Sequence, residues 1–174
     1  MTNSVHIDLL GTETRFVESG DYRTRVIEVS NNKAPLILLH GGGGHAETFS
    51  RNLNSLAAVC RPIAMDFIWH GMSSRPSFSD GSATDDVHWL RQFTLQVIDL
   101  MEVLGLQSAS FEGESLGGWV ALDLAINFPE RVDALVLNTA WGIALDKEHV
   151  EEGGADLDAL RETSVAALTN PTLE

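Results

Sequence analysis

Hydrophobic positions along the chain switch repeatedly between the two-residue period of a strand and the 3.6-residue period of a helix. In the first thirty residues, three short stretches alternate as strands do, with turn signals at Gly11 and at residues 19–21 between them. These stretches are residues 5–10, 15–18 and 22–29. We expect them to form an antiparallel edge of a larger sheet.

From residue 35 onward, the predicted strands alternate with predicted helices. The continuous apolar run 35–39 is typical of a parallel strand covered on both faces. The remaining predicted elements are strands at 61–66, 108–112 and 133–138, and helices at 49–57, 84–104, 116–127 and 156–168. We expect the strand at 133–138 to be buried, and also the helix at 116–127, which is apolar nearly all round. This order indicates an α/β fold with a mostly parallel sheet, helices on both faces and an antiparallel N-terminal edge.

Composition and charge narrow the classes of partner. The chain has 174 residues, 44% of them hydrophobic, and 11 basic against 25 acidic side chains give a formal net charge of −14. This balance argues against nucleic acid or an anionic membrane as a partner. No apolar run approaches the roughly 20 residues of a membrane helix, so we expect a cytoplasmic protein. The single cysteine, Cys60, excludes an internal disulfide bond.

The strongest chemical signal is a G-x-S-x-G motif centred on Ser115, which lies between a predicted strand and a predicted helix. Glycines two positions before and after a serine allow the sharp turn that would expose its hydroxyl at the carboxyl end of the sheet. The positive end of the helix and the backbone N–H of Leu116 could then stabilise a developing oxyanion. The competing interpretation is an ordinary Ser-Gly turn.

A second signal is the glycine run from Gly41 to Gly44, flanked by His40 and His45. Its unscreened backbone N–H groups suit an oxyanion hole or an anion-binding nest. A nucleotide-binding loop is the alternative, but the run lacks both the Gly-Lys-Ser/Thr ending of a P-loop and the G-x-G-x-x-G spacing.

Residues next to these motifs are candidates for contacts with a substrate, namely Gly43, His45 and Glu114. Trp141, after the predicted strand at 133–138, is a further candidate. For His45 the alternative is capping or solvent exposure, and for Glu114 it is a carboxylate paired elsewhere. No two histidines have metal-ligand spacing, so we expect no metal.

The glycine run, the stretch from Asp66 to Ser73 and the Ser115 motif occur together in an order that resembles the N-terminal part of an α/β-hydrolase. The resemblance implies that Ser115 is the nucleophile and that the N–H groups of Leu116 and Gly42 form the oxyanion hole. It also implies that His40 shapes its loop, and that no cofactor is needed.

Within this superfamily, the elbow sequence 113–119 and residues 137–139 are most similar to hydrolases of meta-cleavage products, which cut carbon–carbon bonds in ring-opened aromatic compounds. We therefore expect a small carbonyl substrate, either such a dienoate or an ester. In domain terms, residues 1–138 would be the N-terminal portion of the hydrolase core and residues 139–174 the start of a lid.

The chain departs from the family pattern at two places. Trp69 stands where glycine is usual, which predicts a reshaped or strained loop. In addition, His149 is the only histidine after Ser115, in the region of the lid, where a solvated loop histidine is the alternative to a general base. The C-terminal part of the core, with its acid and histidine, would then be absent from these 174 residues.

The competing hypothesis is therefore an inactive hydrolase fragment or a binding module. Its open sheet edge would favour homo-oligomers or other association.

Overall fold

A six-stranded sheet organises residues 4–76 and 88–140, which are the residues that the computed structural model describes. The strands are β1 (Glu13–Ser19), β2 (Tyr22–Glu28), β3 (Pro35–Leu39), β4 (Arg61–Met65), β5 (Ala109–Glu114) and β6 (Val132–Asn138). The helices are α1 (Val5–Asp8), α2 (Ser50–Leu56), α3 (His88–Val103) and α4 (Leu116–Asn127), with short 3₁₀ helices at Ala46–Phe49 and Pro129–Arg131.

The strand order is β1-β2-β4-β3-β5-β6. β1 pairs antiparallel with β2, from Glu13 opposite Glu28 to Ser19 opposite Tyr22, and β2 pairs antiparallel with β4. The pairs β3–β4, β3–β5 and β5–β6 are all parallel. The predicted mostly parallel sheet with an antiparallel N-terminal edge is therefore confirmed.

Helices pack on both faces of this sheet, as predicted. On one face, Phe49 and Leu53, from the 3₁₀ helix at Ala46–Phe49 and from α2, join Leu38 of β3 in a core cluster. On the other face, Gly117 of α4 lies directly against Leu39, whose side chain is fully buried. Full burial of an aliphatic side chain stabilises the folded state by about 1.5–3 kcal/mol. β3 is covered on both faces and pairs with a strand on each side, so it lies at the centre of the fold.

The first predicted strand, at 5–10, is wrong, because the chain there forms α1. The Ser4 side chain accepts a hydrogen bond from the backbone N–H of His6 and so caps the helix. Val5, Ile7 and Leu9 alternate like a strand, but Val5 and Leu9 also share one helical face, and Leu9 packs against the core cluster. The spacing of these apolar residues thus fits both the two-residue period of a strand and the 3.6-residue period of a helix, so it could not distinguish the two.

Two elements are less buried than their composition predicts. β6 was expected to be buried, but most of its residues are exposed, with Val136 at 58% and Leu137 at 38%. Within the described residues β6 pairs with β5 alone. α4 buries one face, including Val120 and Leu124, while Ile126 is 74% exposed.

Several predictions fall on residues outside the described ranges. They are the start, at Thr84, of the helix predicted at 84–104, the helix at 156–168, Trp141 and His149. The division at residue 138 stays a prediction. None of the helices in the described ranges combines the length and apolar character that crossing a membrane requires.

Candidate active site

Ser115 occupies a strained turn between the end of β5 and the start of α4. Its φ of 51° and ψ of −110° lie outside the regions that non-glycine residues favour, at a cost on the order of 1–3 kcal/mol. Backbone hydrogen bonds hold the turn, since the N–H of Ser115 donates to the Asn138 carbonyl at 3.0 Å and its own carbonyl accepts from the N–H of Trp119 at 3.2 Å. The Ser115 hydroxyl does not cap the helix. It therefore remains available for chemistry.

Glycines around Ser115 are required by close packing. A Cβ on Gly113 would overlap the backbone of Gly117, and a Cβ on Gly117 would overlap the carbonyl of Leu39. Since backbone atoms cannot give way as flexible side chains do, both positions exclude larger residues. The G-x-S-x-G spacing thus has a steric cause in this chain.

The glycine run follows β3 and passes beside Ser115. A Cβ built on Gly41 would lie 3.4 Å from the Cβ of Ser115. The run turns tightly, with the N–H of Gly44 bonded to the Gly41 carbonyl at 2.9 Å and Gly43 at a φ of 75°. Gly42 and Gly43 are exposed. Gly42 thus follows the residue that passes beside Ser115.

His40 holds the start of this run. Its ring is fully buried, and its Nε2 accepts a hydrogen bond from the N–H of Phe67 at 3.1 Å. Its Nδ1 must then carry the proton and donate to the Gly41 carbonyl at 2.7 Å. Burial lowers the pKa of His40 to about 4. Both ring nitrogens are occupied in a neutral ring, which is the bonding of a loop-shaping residue.

The other candidate contact residues that the structure describes lie around the same loop. His45 is exposed, and its Nδ1 lies 2.8 Å from the Glu47 carboxylate. Glu114 is half-buried, with its carboxyl carbon 3.9 Å from a Cβ built on Gly41. Burial and the charge of Glu114 raise the pKa of the neighbouring Glu112. The Glu114 carboxylate therefore lies beside Gly41, and His45 directly follows the glycine run.

The loop after β4 contains Trp69 and is hydrogen-bonded to His40 and Ala46, which lie on either side of the glycine run. The Trp69 φ of 64° is the left-handed conformation that glycine adopts most easily, so the expected strain is present. The tryptophan side chain is 9% exposed, stacks edge-on against Phe93 and donates from Nε1 to the Pro76 carbonyl at 2.7 Å. Packing of a large aromatic ring thus compensates for the unfavourable backbone.

Two charged residues beside the glycine run belong to no sequence motif, namely Arg25 and Glu47. Arg25 lies in β2 and binds both Glu47 and Asp66. The signal that could have identified Arg25 is a charged residue on the same strand face as the apolar Ile27, two positions further on. Its partners, distant in sequence, could not be read from any local pattern.

A general base for Ser115 is not among the described histidines. His6, His40, His45 and His70 have described side chains, and none is hydrogen-bonded to Ser115. His70 is buried, with its Nδ1 3.0 Å from the Ile68 carbonyl, and burial lowers its pKa. The candidate site therefore comprises the serine of a strained turn, a helix N-terminus and a glycine run.

Comparison with known proteins places this site in a family context. The chain is 34% identical over 116 residues to a (lyso)-N-acylphosphatidylethanolamine lipase of Homo sapiens, covering 66% of this chain and 32% of the relative. It is 35% identical over 112 residues to the 1-acylglycerol-3-phosphate O-acyltransferase ABHD5 of Sus scrofa, covering 64% and 31%. It thus spans about a third of these curated relatives.

Solved structures give the same fold. A 2-hydroxy-6-oxo-6-phenylhexa-2,4-dienoate hydrolase from Rhodococcus sp. strain RHA1 superposes with a TM-score of 0.65 at 28% identity, covering 72% of this chain and 45% of that structure. Meta-cleavage product hydrolases are therefore among the structural neighbours, alongside other hydrolases. The sequence profile of the alpha/beta hydrolase fold family matches residues 34–172, so the chain belongs to the α/β-hydrolase fold family.

Proposed function

We propose that the chain carries the nucleophile and oxyanion hole of a serine hydrolase that acts on a carbonyl substrate. In this reaction, the Ser115 hydroxyl attacks the carbonyl carbon, and the N–H groups of Leu116 and Gly42 stabilise the oxyanion. The observation that carries the proposal is the positive φ of Ser115, in a turn between strand and helix that leaves the hydroxyl free of capping. Leu116 begins α4, where helical N–H groups lack intrahelical partners.

The proposed reaction needs a base that removes the proton from Ser115. His149 follows Ser115 in the sequence and is the candidate within the chain, with another polypeptide segment as the alternative source. Without a base, activity of such a site falls by several powers of ten, leaving the contribution of the oxyanion hole and binding. In that case, the chain is an inactive fragment or binding module.

An ester is the substrate class that the curated relatives favour. The names of the lipase and the O-acyltransferase both describe reactions at an acyl group. We infer that the substrate approaches Ser115 over the exposed glycines, where Gly43, His45 and Glu114 contact it. The second candidate is carbon–carbon bond hydrolysis of a ring-opened dienoate, favoured by the 28% identity to the dienoate hydrolase.

Labelling with a fluorophosphonate probe tests the nucleophile. We expect slow labelling of the purified 174-residue chain at Ser115, because no base for Ser115 is among its described histidines, and we expect Ser115→Ala to abolish that labelling. Ser55→Ala, at an exposed position on α2, is the matched control and should be labelled like wild type. Absence of labelling in the wild-type chain would support the inactive fragment.

Two further measurements assign the base and the substrate. Loss of labelling in His149→Ala identifies His149 as the base, whereas retained labelling excludes it. Turnover of p-nitrophenyl esters and of 2-hydroxy-6-oxo-6-phenylhexa-2,4-dienoate, followed by absorbance, separates the two substrate classes. Turnover of the dienoate alone would contradict the ester proposal.

A further inference from the structure

Arg25 is a buried cation that binds two carboxylates from two different segments. Its side chain is 5% exposed. Its Nε and Nη2 donate to the two oxygens of Asp66 at 2.7 and 3.0 Å, and its Nη1 donates to Glu47 Oε1 at 2.7 Å. Nη2 also donates to Glu47 Oε2. The planar guanidinium thus forms a bidentate ion pair with each of the two carboxylates.

Both carboxylates are attached to the end of the glycine run. Asp66 is fully buried, and its Oδ1 accepts from the N–H of Ala46 at 2.7 Å. Ala46 begins the 3₁₀ helix that follows the run, and Glu47 is the next residue. The end of the run is therefore fixed at two adjacent positions. Since the hydrogen bonds of His40 fix the start, the four glycines connect two segments that are each held in place.

We propose that Arg25 is a positioning residue that holds the glycine run in place through Asp66 and Glu47. Four consecutive glycines have more conformational freedom than any other tetrapeptide, so their N–H groups need external anchors to point in one direction. Donors that stabilise an oxyanion act efficiently only when they are preorganised. The inference rests on the proposed function for its chemical consequence, but the anchoring itself can be measured without it.

The chain offers a matched control at Glu28, the last residue of β2. Arg61 binds Glu28 Oε2 through Nε at 2.9 Å and Nη2 at 2.7 Å, and Glu28 keeps Arg15 as a second partner. The Arg61 and Glu47 side chains are similarly exposed, at 21% and 23%. Glu47→Gln therefore removes one charged partner from the buried Arg25, beside the glycine run. Arg61→Gln likewise removes one charged partner from the buried Glu28, away from the run.

Amide hydrogen exchange of the 174-residue chain, followed by NMR, is the direct test. The reporters are the hydrogen-bonded N–H groups of Gly44, Ala46 and Thr48. We expect Glu47→Gln to accelerate their exchange at least tenfold, and Arg61→Gln to leave it unchanged, at similar thermal midpoints for the two variants. Equal exchange of these three amides in both variants would overturn the proposal.

The labelling rate of Ser115 separates this inference from the proposed function. We expect about a tenfold slower reaction with fluorophosphonate in Glu47→Gln than in Arg61→Gln, because misplaced groups lose rate steeply. If wild type is not labelled, the proposed function fails while hydrogen exchange still decides the anchoring. If the run loosens but labelling is equally fast in both variants, the positioning role is overturned.

Arg25→Lys tests the bidentate geometry. Lysine keeps the charge but cannot bind two carboxylates through a planar fork. We expect it to accelerate exchange of Gly44, Ala46 and Thr48 as Glu47→Gln does. Wild-type exchange in a folded Arg25→Lys protein would show that charge alone suffices and would contradict the proposal. If this variant does not fold, the comparison of Glu47→Gln with Arg61→Gln decides.

Discussion

Strained residues of this chain lie past the carboxyl ends of parallel strands. Within the described ranges, the non-glycine residues with positive φ are Trp69, Ser115 and Thr139, which follow β4, β5 and β6. This edge of an open α/β sheet is where ligands bind. Such conformations persist only where the surroundings enforce them. Backbone strain and candidate chemistry thus coincide at the level of single residues.

At Trp69, the glycine variant should be more stable than the alanine variant, which is the reverse of their usual order of stability. Loss of the buried ring costs about 3–5 kcal/mol in either variant, but only glycine adopts the φ of 64° without steric penalty. We expect Trp69→Gly to be about 1 kcal/mol more stable than Trp69→Ala in urea unfolding.

Phe93 is the matched control, since it is buried, contacts Trp69 and lies in the helix α3. There, Phe93→Gly should be about 1 kcal/mol less stable than Phe93→Ala. The same order at both positions would contradict a strained backbone at Trp69.

His40 should make stability depend on pH. Its pKa is about 4 in the folded protein, against an ordinary value of 6.5, because the ring is buried. Between these values the unfolded chain binds a proton that the folded chain does not, so stability falls as pH decreases from 6.5 to 4. The slope for one such group is up to about 1.4 kcal/mol per pH unit.

Urea unfolding between pH 7 and 4 measures this slope. We expect His40→Gln to be less stable at pH 7 but to lose less stability on acidification than wild type. His6→Gln, which changes an exposed histidine on α1, serves as the control. An unchanged slope in His40→Gln would show that other groups, such as His70, account for the acid sensitivity.

At the scale of elements, α3 is connected to the sheet by a buried amide. Gln96 is fully buried, and its Oε1 accepts from the N–H of Ile68 at 2.9 Å. Its Nε2 donates to Thr24 Oγ1 at 2.9 Å and to the Asp66 carbonyl at 3.1 Å. One side chain thus joins α3, β2 and the loop after β4.

Gln96→Leu should therefore destabilise the fold strongly. Leucine fills similar space but leaves the Ile68 N–H and the Asp66 carbonyl without this partner, at about 1–3 kcal/mol for each buried group. We expect a loss of about 3 kcal/mol in urea unfolding. Leu95→Ala, at the neighbouring and 43% exposed position, should cost less than about 1 kcal/mol. Similar losses at both positions would show that the amide bonds contribute little.

Local sequence was sufficient for most elements and for the centre of the candidate site. The run 35–39 and the glycines around Ser115 are local signals, because burial and tight turns restrict residue choice position by position. α1 was misassigned because four residues satisfy two periods at once. Arg25 and Glu47 were not predicted, because their ion pair joins residues that are 22 positions apart in the sequence. Only the order of strands in the sheet brings these two residues into contact.

At the scale of the whole molecule, two opposing features act on association. β6 exposes Val136 and Leu137 and pairs, within the described residues, with β5 alone. An exposed strand edge is a template for pairing with another chain. The formal net charge of −14 opposes such contact by repulsion between copies. Which of the two dominates should depend on salt, because screening weakens the repulsion and leaves the edge unchanged.

We therefore predict self-association through β6 that increases with salt. In sedimentation velocity, the fraction of dimers and larger species should rise between 0.05 and 0.5 M NaCl, where the screening length falls from about 14 to 4 Å. Val136→Lys should reduce association, because a lysine on an edge strand disfavours pairing. Val59→Lys changes net charge equally at a 75% exposed position outside the sheet. If both variants associate alike, charge rather than the edge controls the contact.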